Sequence, residues 1–463
     1  MIVMKFGGSS LGNAYAIRKS ADIVEERKSF EKDLVVVTSA VGTAKGYETK
    51  VTDALIKCAT QAHKGNSYES DLSSIYKRHK DLTNDLMCNI KKKYSEEQTW
   101  EELVTDLDHA LKNRDSNFAR FQDLITSYGE RLSANIFTAT LRDRGIDAEY
   151  GLFHIITDEN FGNAEVLDYA YNAITADWSY DEDIKEEFKQ DKVWVSPGFI
   201  GMTPKGEITT LGRGGSDLSA AVIGAALDAD YIEIWTDVNG IMTADPNLVS
   251  NAKTAENLSF AEAAQLAHFG SRVLYPKAIE PAMEKNIPVY IFNTFKPDNS
   301  STKITRESEA GDGQVKAIAH KEDITLINVE STKMVDQPGY LAHIFEAFSE
   351  YGKSVDMLAT SETSISLTVD NDIYMSEIKR RLKPFATVTH RPNMASINVV
   401  GEGIGKTVGV TARTLKALAD NDVNHVMLSE GASSRSIGLV VDQKYLQRAV
   451  NLLHDEFFPE VKK

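Results

Sequence analysis

Five short apolar runs, MIVMKF, DLVVVTSA, VWVSPGFIG, YIEIWTD and IPVYIF, alternate with longer helical patterns in the first two thirds of the chain. Neighbouring strands separated by helices pair in parallel, so this alternation predicts an α/β domain with a parallel-rich sheet covered by helices. One helical register runs from Leu124 through Tyr128, Leu132 and Ile136, with a stop at Gly145 after Arg142 and Arg144. Glu130 lies within that helix, off its apolar stripe. Residues 60 to 121 are charged and helical in pattern, and the Lys91, Lys92, Lys93 run inside them reads as a solvated helix face.

Around residues 296–315 the chain turns polar and loop-rich, which marks a boundary. Beyond it lies an internal repeat. ITLINVEST, a helix ending EAFSEYGKS, VDMLATSE and SISLTVD are echoed by ASINVVGEG, a helix ending KALADNDV, NHVMLSEG and SIGLVVD, and each copy runs into a further helix. Both fit a β-α-β-β-α unit of ferredoxin-like type.

The 463 residues suffice for roughly three domains, and 42% hydrophobic residues supply their cores. A formal charge of −17 argues against nucleic acid or an anionic membrane as partner, since either would be repelled. No apolar run is long enough to cross a bilayer, and MIVMKFGGSS lacks a signal-peptide core, so a cytosolic protein is expected. Cys58 and Cys88 read as reduced thiols, and without an HExxH or similar pattern no protein-bound metal is expected.

Chemistry concentrates at three strand ends. TTLGRGGSDLSAA, residues 209–221, matches neither a P-loop nor a dinucleotide fingerprint. It does offer a close-approaching backbone, the Arg213 fork and a helix N-terminus, a set suited to an anion. KFGGSS places Lys5 at the end of the first strand with Gly7 and Gly8 opening a turn, although a surface lysine beside a tight turn has the same signature. WTDVNGIMTADP offers Thr236, Asp237 and Asp245 at a third strand end, or else a plain turn at Asp237 to Gly240. Open α/β sheets bind ligands at the carboxyl ends of their strands, which favours the three acting together.

KFGGSS, SYGERLS, LGRGGSD and WTDVNGIMTADP, in this order and followed by paired modules, resemble the aspartate kinases of the amino acid kinase superfamily, monofunctional in length. The resemblance spans nearly the whole chain. It implies an amino acid kinase fold, a three-layer αβα sandwich with a largely parallel central sheet, plus two ferredoxin-like ACT domains. The implied layout is a catalytic domain at 1–298 (aspartate-binding lobe about 1–210, nucleotide-binding lobe about 211–298), a linker at 299–315, and ACT domains at 316–390 and 391–463.

By the same resemblance the chain transfers the γ-phosphoryl of ATP to the β-carboxylate of L-aspartate with Mg2+, the first step of lysine, threonine and methionine biosynthesis. Lys5 would neutralise the transferring phosphate, Asp217 orient that lysine, and Arg213 with Gly214, Gly215 and Ser216 hold a substrate carboxylate. Glu130 would accept the α-ammonium, with Ser39 and Thr52 lining the pocket and Phe199 closing it; Ser39 and Thr52 also read as ordinary turn or cap residues. Lys5, Gly7, Gly8, Ser9, Thr236, Asp237, Met242, Asp245, Pro246, Asn247 and Arg272 match nucleotide-binding positions. Met242, Asn247 and Arg272 depart from the commoner aromatic, arginine and lysine, which loosens the expected grip on adenine and phosphate. ACT domains of this kind imply a homodimer or higher homo-oligomer.

The first repeat resembles lysine-sensitive relatives. DQPG leads into a helix whose N–H groups at Tyr340 and Leu341 suit a carboxylate, Asp356 and Glu362 supply two negative charges, and Met334 suits an aliphatic stem. Gln337, Ser354, Val355, Thr360 and Ser361 match effector positions, so L-lysine is the expected inhibitor. Solvated strand-end carboxylates, with threonine or no effector, are the competing reading. The second repeat carries GASSRS in place of TSETS and is expected to present less negative charge. A glutamate kinase and a non-catalytic amino-acid sensor are the alternatives for the whole chain; SYGE with LGRGGSD argues against the first, and intact Lys5, Arg213 and Asp217 against the second.

Overall fold

A computed structural model describes residues 1–86, 99–167, 191–270, 273–307, 313–334, 337–431 and 435–459. Cys88, the Lys91 to Lys93 run, Arg272 and residues 432–434 of GASSRS lie outside the described residues. The chain forms two compact units, one of residues 1–241 and 273–306, the other of 242–272 and 307–463.

In the first unit the five apolar runs form strands at Ile2–Phe6, Leu34–Thr38, Val193–Pro197, Tyr231–Thr236 and Val289–Asn293. With Ala148–Tyr150 and Thr302–Thr305 they build one sheet in the order Ala148–Tyr150, Val193–Pro197, Leu34–Thr38, Ile2–Phe6, Tyr231–Thr236, Val289–Asn293, Thr302–Thr305. Every pairing is parallel except the last. The three strands Ile2–Phe6, Leu34–Thr38 and Val193–Pro197 are buried at every position, as strands covered on both faces must be. Ile2, Met4, Phe6, Leu34, Val36, Val193 and Val195 join one core with the helices Ala14–Lys28, Val51–Lys64 and Phe118–Asp143. Val37, one residue out of phase, instead lies beside Gly198 and Ser216 of the helix Gly215–Ala226. The period-two alternation thus yields three layers, helix on sheet on helix.

A smaller sheet of Ile155–Ile156, Ile200–Met202 and Ile208–Thr210 is tied to the long helix by Asp123. Its carboxylate accepts from the Thr210 hydroxyl (2.7 Å), the Thr210 amide (3.1 Å) and the Gly162 amide (2.8 Å). Burial pushes this carboxyl above its ordinary range, and the three hydrogen bonds offset that shift.

In the second unit both repeats adopt the β-α-β-β-α order, but they share one antiparallel sheet: Leu358–Thr360, Ser364–Val369, Ala317–Glu330, Thr387–Val400, Ser436–Asp442, His425–Glu430. The long strands Ala317–Glu330 and Thr387–Val400 pair along their length, and the boundary read at 390/391 falls inside the second of them. Within the stretch read as a linker, Thr302–Thr305 forms a strand because its alternating buried positions close the edge of Val289–Asn293. Residues 242–272, read as catalytic-domain sequence, fold with the repeats. Ala244 and Val249 enter the core of Ile397, Leu439 and Leu453, Thr243 Oγ1 meets His454 Nε2 at 3.0 Å, and Glu262 accepts from both Ser259 N and Glu402 N at 2.7 Å.

Candidate functional site

Lys5 comes one residue before the end of its strand, 8% exposed, with its ammonium 2.5 Å from Asp217 Oδ1. The turn after it is pinned on both sides. Gly7 N donates to Trp235 O (3.0 Å), and the Ser10 and Thr294 hydroxyls share a hydrogen bond (2.7 Å). Across the neighbouring turn Ser39 N donates to Phe6 O (3.1 Å) and Gly42 N to Gly8 O (2.9 Å). A Cβ on Gly42 would stand 2.4 Å from Gly8 O, so the two turns close up only because side chains are absent there.

Asp217 belongs to the first turn of the helix Gly215–Ala226, whose N-cap is Gly214 at φ 71° with no side chain capping it. The uncapped start leaves backbone N–H groups and the positive end of the helix dipole to a ligand. Phe199 abuts it, held at φ 67° by its amide donating to Ser219 Oγ (2.9 Å) and its carbonyl accepting from Leu211 N (3.0 Å). That left-handed backbone costs about 1–2 kcal/mol for a residue with a Cβ. Arg213 is exposed and has no ion pair or hydrogen bond among the described residues.

Glu130 is only 4% exposed although it lies off the helix's apolar stripe, because its side chain reaches under the Ser39 turn. Oε1 accepts from Ala40 N (3.1 Å), while Oε2 is buried with no partner. Burial pushes this carboxyl up to about 8. An unpaired buried carboxyl oxygen suits an incoming cationic donor. Ser133, one turn further along the same face, donates to Ser39 O (2.6 Å). It stands in the SYGERLS motif, and its spacing from Glu130 was the signal available for it. Thr52 is half-buried at the start of the helix Val51–Lys64, whose first amide donates to Val41 O (3.2 Å).

The structure therefore brings Lys5, Gly7, Gly8, Ser39, Glu130, Phe199, Gly214, Gly215, Ser216 and Asp217 into one connected network. Thr236 ends the adjacent strand and Asp237 follows it, where Asn293 Nδ2 donates to Asp237 O (3.2 Å) and Asn239 Oδ1 (2.7 Å). Met242, Asp245, Pro246 and Asn247 fall in the second unit. There Asn247 turns back on Asp245 Oδ1 through its amide (2.8 Å) and side chain (2.9 Å), and Thr254 Oγ1 donates to Met242 Sδ (3.9 Å). Among the described residues no cluster of three or more His, Cys, Asp or Glu could hold a metal. Burial pushes the Cys58 thiol up to about 12, consistent with an inert core cysteine.

In the first repeat a cavity of about 520 Å³ is lined by Met334, Gln337, Gly339, Tyr340, Leu341, Thr360, Ser361 and Glu362. Ser354, Val355 and Asp356 do not line it. Val355 packs against the repeat's own core, and the Asp356 carboxylate, 7% exposed, pairs with Lys321 Nζ (2.8 Å) and His268 Nε2 (3.5 Å). Of the two carboxylates expected here, Glu362 lines the cavity and Asp356 does not, so among the described residues Glu362 is the one carboxylate presented to it. The Tyr340 amide also donates to Gln337 O (3.3 Å), so it is not free as expected. In the second repeat the Thr411 hydroxyl bonds Glu430 Oε2 (3.0 Å), joining helix start to strand end.

Residues 1–293 match the amino acid kinase family, and residues 327–375 and 397–457 match the ACT domain. Aspartokinase 2, chloroplastic, of Arabidopsis thaliana is 33% identical over 481 residues, covering 98% of this chain and 84% of that protein. Lysine-sensitive aspartokinase 3 of Escherichia coli (strain K12) is 30% identical over 477 residues, covering 99% of each. The crystal structure of E. coli aspartokinase III in complex with aspartate and ADP (R-state) superposes with a TM-score of 0.79 at 29% identity, covering 99% of this chain and 100% of that one.

Proposed function

The chain belongs to the amino acid kinase family and, within it, to the aspartokinases, and on that premise we propose that the corner around Lys5 and Asp217 is where the γ-phosphoryl of ATP meets the β-carboxylate of L-aspartate. The activity is that of an aspartate kinase, giving 4-phospho-L-aspartate and ADP. The observation that carries the site is the Lys5–Asp217 pair at the mouth of two glycine turns. Phosphoryl transfer asks for positioning and charge neutralisation more than for covalent help. Lys5 meets the transferring phosphate, Asp217 holds its ammonium in place, and Arg213 with the Gly214, Gly215 and Ser216 backbone grips a substrate carboxylate. Glu130 takes the α-ammonium, Ser39 and Thr52 line the pocket, and Phe199 closes it.

Thr236 and Asp237, beside the same corner, serve the nucleotide. Mg2+ would be the cation that accompanies ATP at this corner. When bound it supplies charge neutralisation between the phosphates. A hydroxamate assay tests the whole reading: aspartate with ATP and Mg2+ should give product, glutamate should not, and EDTA should abolish turnover. Product from glutamate alone would overturn it.

L-lysine is the effector of the first repeat. What supports this is the cavity, with Glu362 for an ammonium, Met334 for the aliphatic stem and the start of the helix Tyr340–Ser349 for a carboxylate. The repeats join a second copy of the chain, for which Leu341, 41% exposed at the cavity, is available; light scattering that found only monomer would contradict this. No helix among the described residues is long and apolar enough to cross a membrane, and the chain works in the cytoplasm.

A further inference from the structure

Arg78, on the helix Glu69–Leu86, is 3% exposed and has no carboxylate partner among the described residues. Its guanidinium faces main-chain carbonyls instead. Nη1 donates to Thr49 O (2.8 Å), Nη2 to Gly42 O and to Gly12 O (3.4 Å), the Tyr47 ring lies 5.1 Å away, and Nε is buried without a partner. A buried charge without a counter-ion is a poor way to stabilise a fold, and an apolar side chain of similar volume serves better. What an apolar side chain cannot do is hold three carbonyls at once.

Those carbonyls come from three different segments. Gly12 closes the turn that follows Lys5, Gly42 closes the turn that carries Ser39, and Thr49 precedes the helix that carries Thr52. The first two already touch, through Gly42 N donating to Gly8 O (2.9 Å), and the planar fork locks them from behind. Lys5 is itself offset by Asp217, so the spacing of the turns, rather than added charge at Lys5, is what remains to be set.

We propose that Arg78 is a positioning residue for phosphoryl transfer, its fork fixing the separation of the turns that carry Lys5, Ser39 and Thr52. The inference rests on the aspartate kinase reading of that corner. Small displacements of reacting groups cost rate rather than binding, which sets the signature of the role.

Arg78→Lys keeps the charge and loses the fork; Arg78→Met keeps the bulk and loses both. Each should lower kcat by on the order of 10–100-fold while the KM values for aspartate and ATP stay within about threefold. A kcat within about twofold of wild type in Arg78→Lys, or a raised KM with unchanged kcat, overturns the proposal. Should either variant lose its circular dichroism, Tyr47→Leu removes the ring against which the guanidinium lies and so loosens the fork on its carbonyls without removing the arginine. That variant should be folded with kcat reduced several-fold, and an unchanged kcat would again overturn the role. Failure of the wild type to phosphorylate aspartate would sink the kinase reading itself, a result distinct from full activity in Arg78→Lys.

Discussion

The helices Gly215–Ala226 and Tyr340–Ser349 begin in the same way, behind a left-handed glycine (φ 71° at Gly214, 82° at Gly339) and with no side chain capping them. Their surroundings differ completely. A Cβ on Gly214 would lie 2.6 Å from the Tyr275 Cβ, whereas one on Gly339 would meet nothing within 4 Å. The first helix start is walled in by Phe199, Tyr275 and the Lys5–Asp217 pair; the second opens on a cavity edged by exposed Leu341 and Glu362. Under the proposed function the same backbone device would serve chemistry where its walls are fixed and reversible occupancy where they are not.

Six substitutions test that contrast, in falling order of effect. Lys5→Ala should lower kcat by about 10³-fold with unchanged circular dichroism, since it removes a cation aimed at developing charge. A near-normal kcat would show that the walled corner is not the reacting one. Gly214→Ala should cost about 2–3 kcal/mol, read from urea melts, because strain at positive φ adds to the clash with Tyr275.

Glu130 makes the walled corner pH-sensitive. Its folded pKa, about 8, lies above the unfolded value, so the empty enzyme keeps a proton that the unfolded chain has already lost. Stability should therefore fall as pH rises between roughly 4.5 and 8, at up to about 1.4 kcal/mol per pH unit. The KM for aspartate should fall over the upper part of that window as the carboxylate forms to meet an ammonium. Glu130→Gln should flatten both profiles in urea melts and initial rates at pH 6 to 9.

At the open corner, Glu362→Ala should weaken L-lysine inhibition by on the order of tenfold, a lost charge-assisted contact, while leaving kcat alone. Asp356→Asn should disturb inhibition less, because that carboxylate already answers Lys321. The reverse order of sensitivity would mean that the cavity is misassigned. Smallest of all, Gly339→Ala should cost about 1 kcal/mol of stability, the left-handed term alone, with activity intact. A loss equal to that of Gly214→Ala would erase the distinction between the two helix starts.

The sheet was legible because its strands are continuous apolar runs, and the repeat was legible because its second copy keeps the order of the first. Lys5, Asp217 and Glu130 were within reach through motif and spacing. Arg78 was not. It is one arginine in a charged helix, and only the three-dimensional approach of Gly12, Gly42 and Thr49 distinguishes it. Asp356 misled for the opposite reason: Thr360, Ser361 and Glu362, a few residues on, line a cavity, but Lys321, 35 positions earlier, reaches the Asp356 carboxylate across the sheet. Pairings that distant leave no local pattern.

The placement of residues 242–272 sets a limit on how the chain can be cut. A fragment ending at 298 would include this stretch but strand it. Ala244 and Val249 would lose the Ile397, Leu439 and Leu453 side chains they pack among, Thr243 would lose His454, and Glu262 would lose the Glu402 amide. Deleting the repeats to relieve inhibition would thus leave a greasy, half-folded ribbon bearing Asp245 and Asn247, prone to proteases and to clumping. Grafting repeats from a relative would need to exchange 242–272 along with them, so the natural seam for a chimera runs through two points of the chain rather than one.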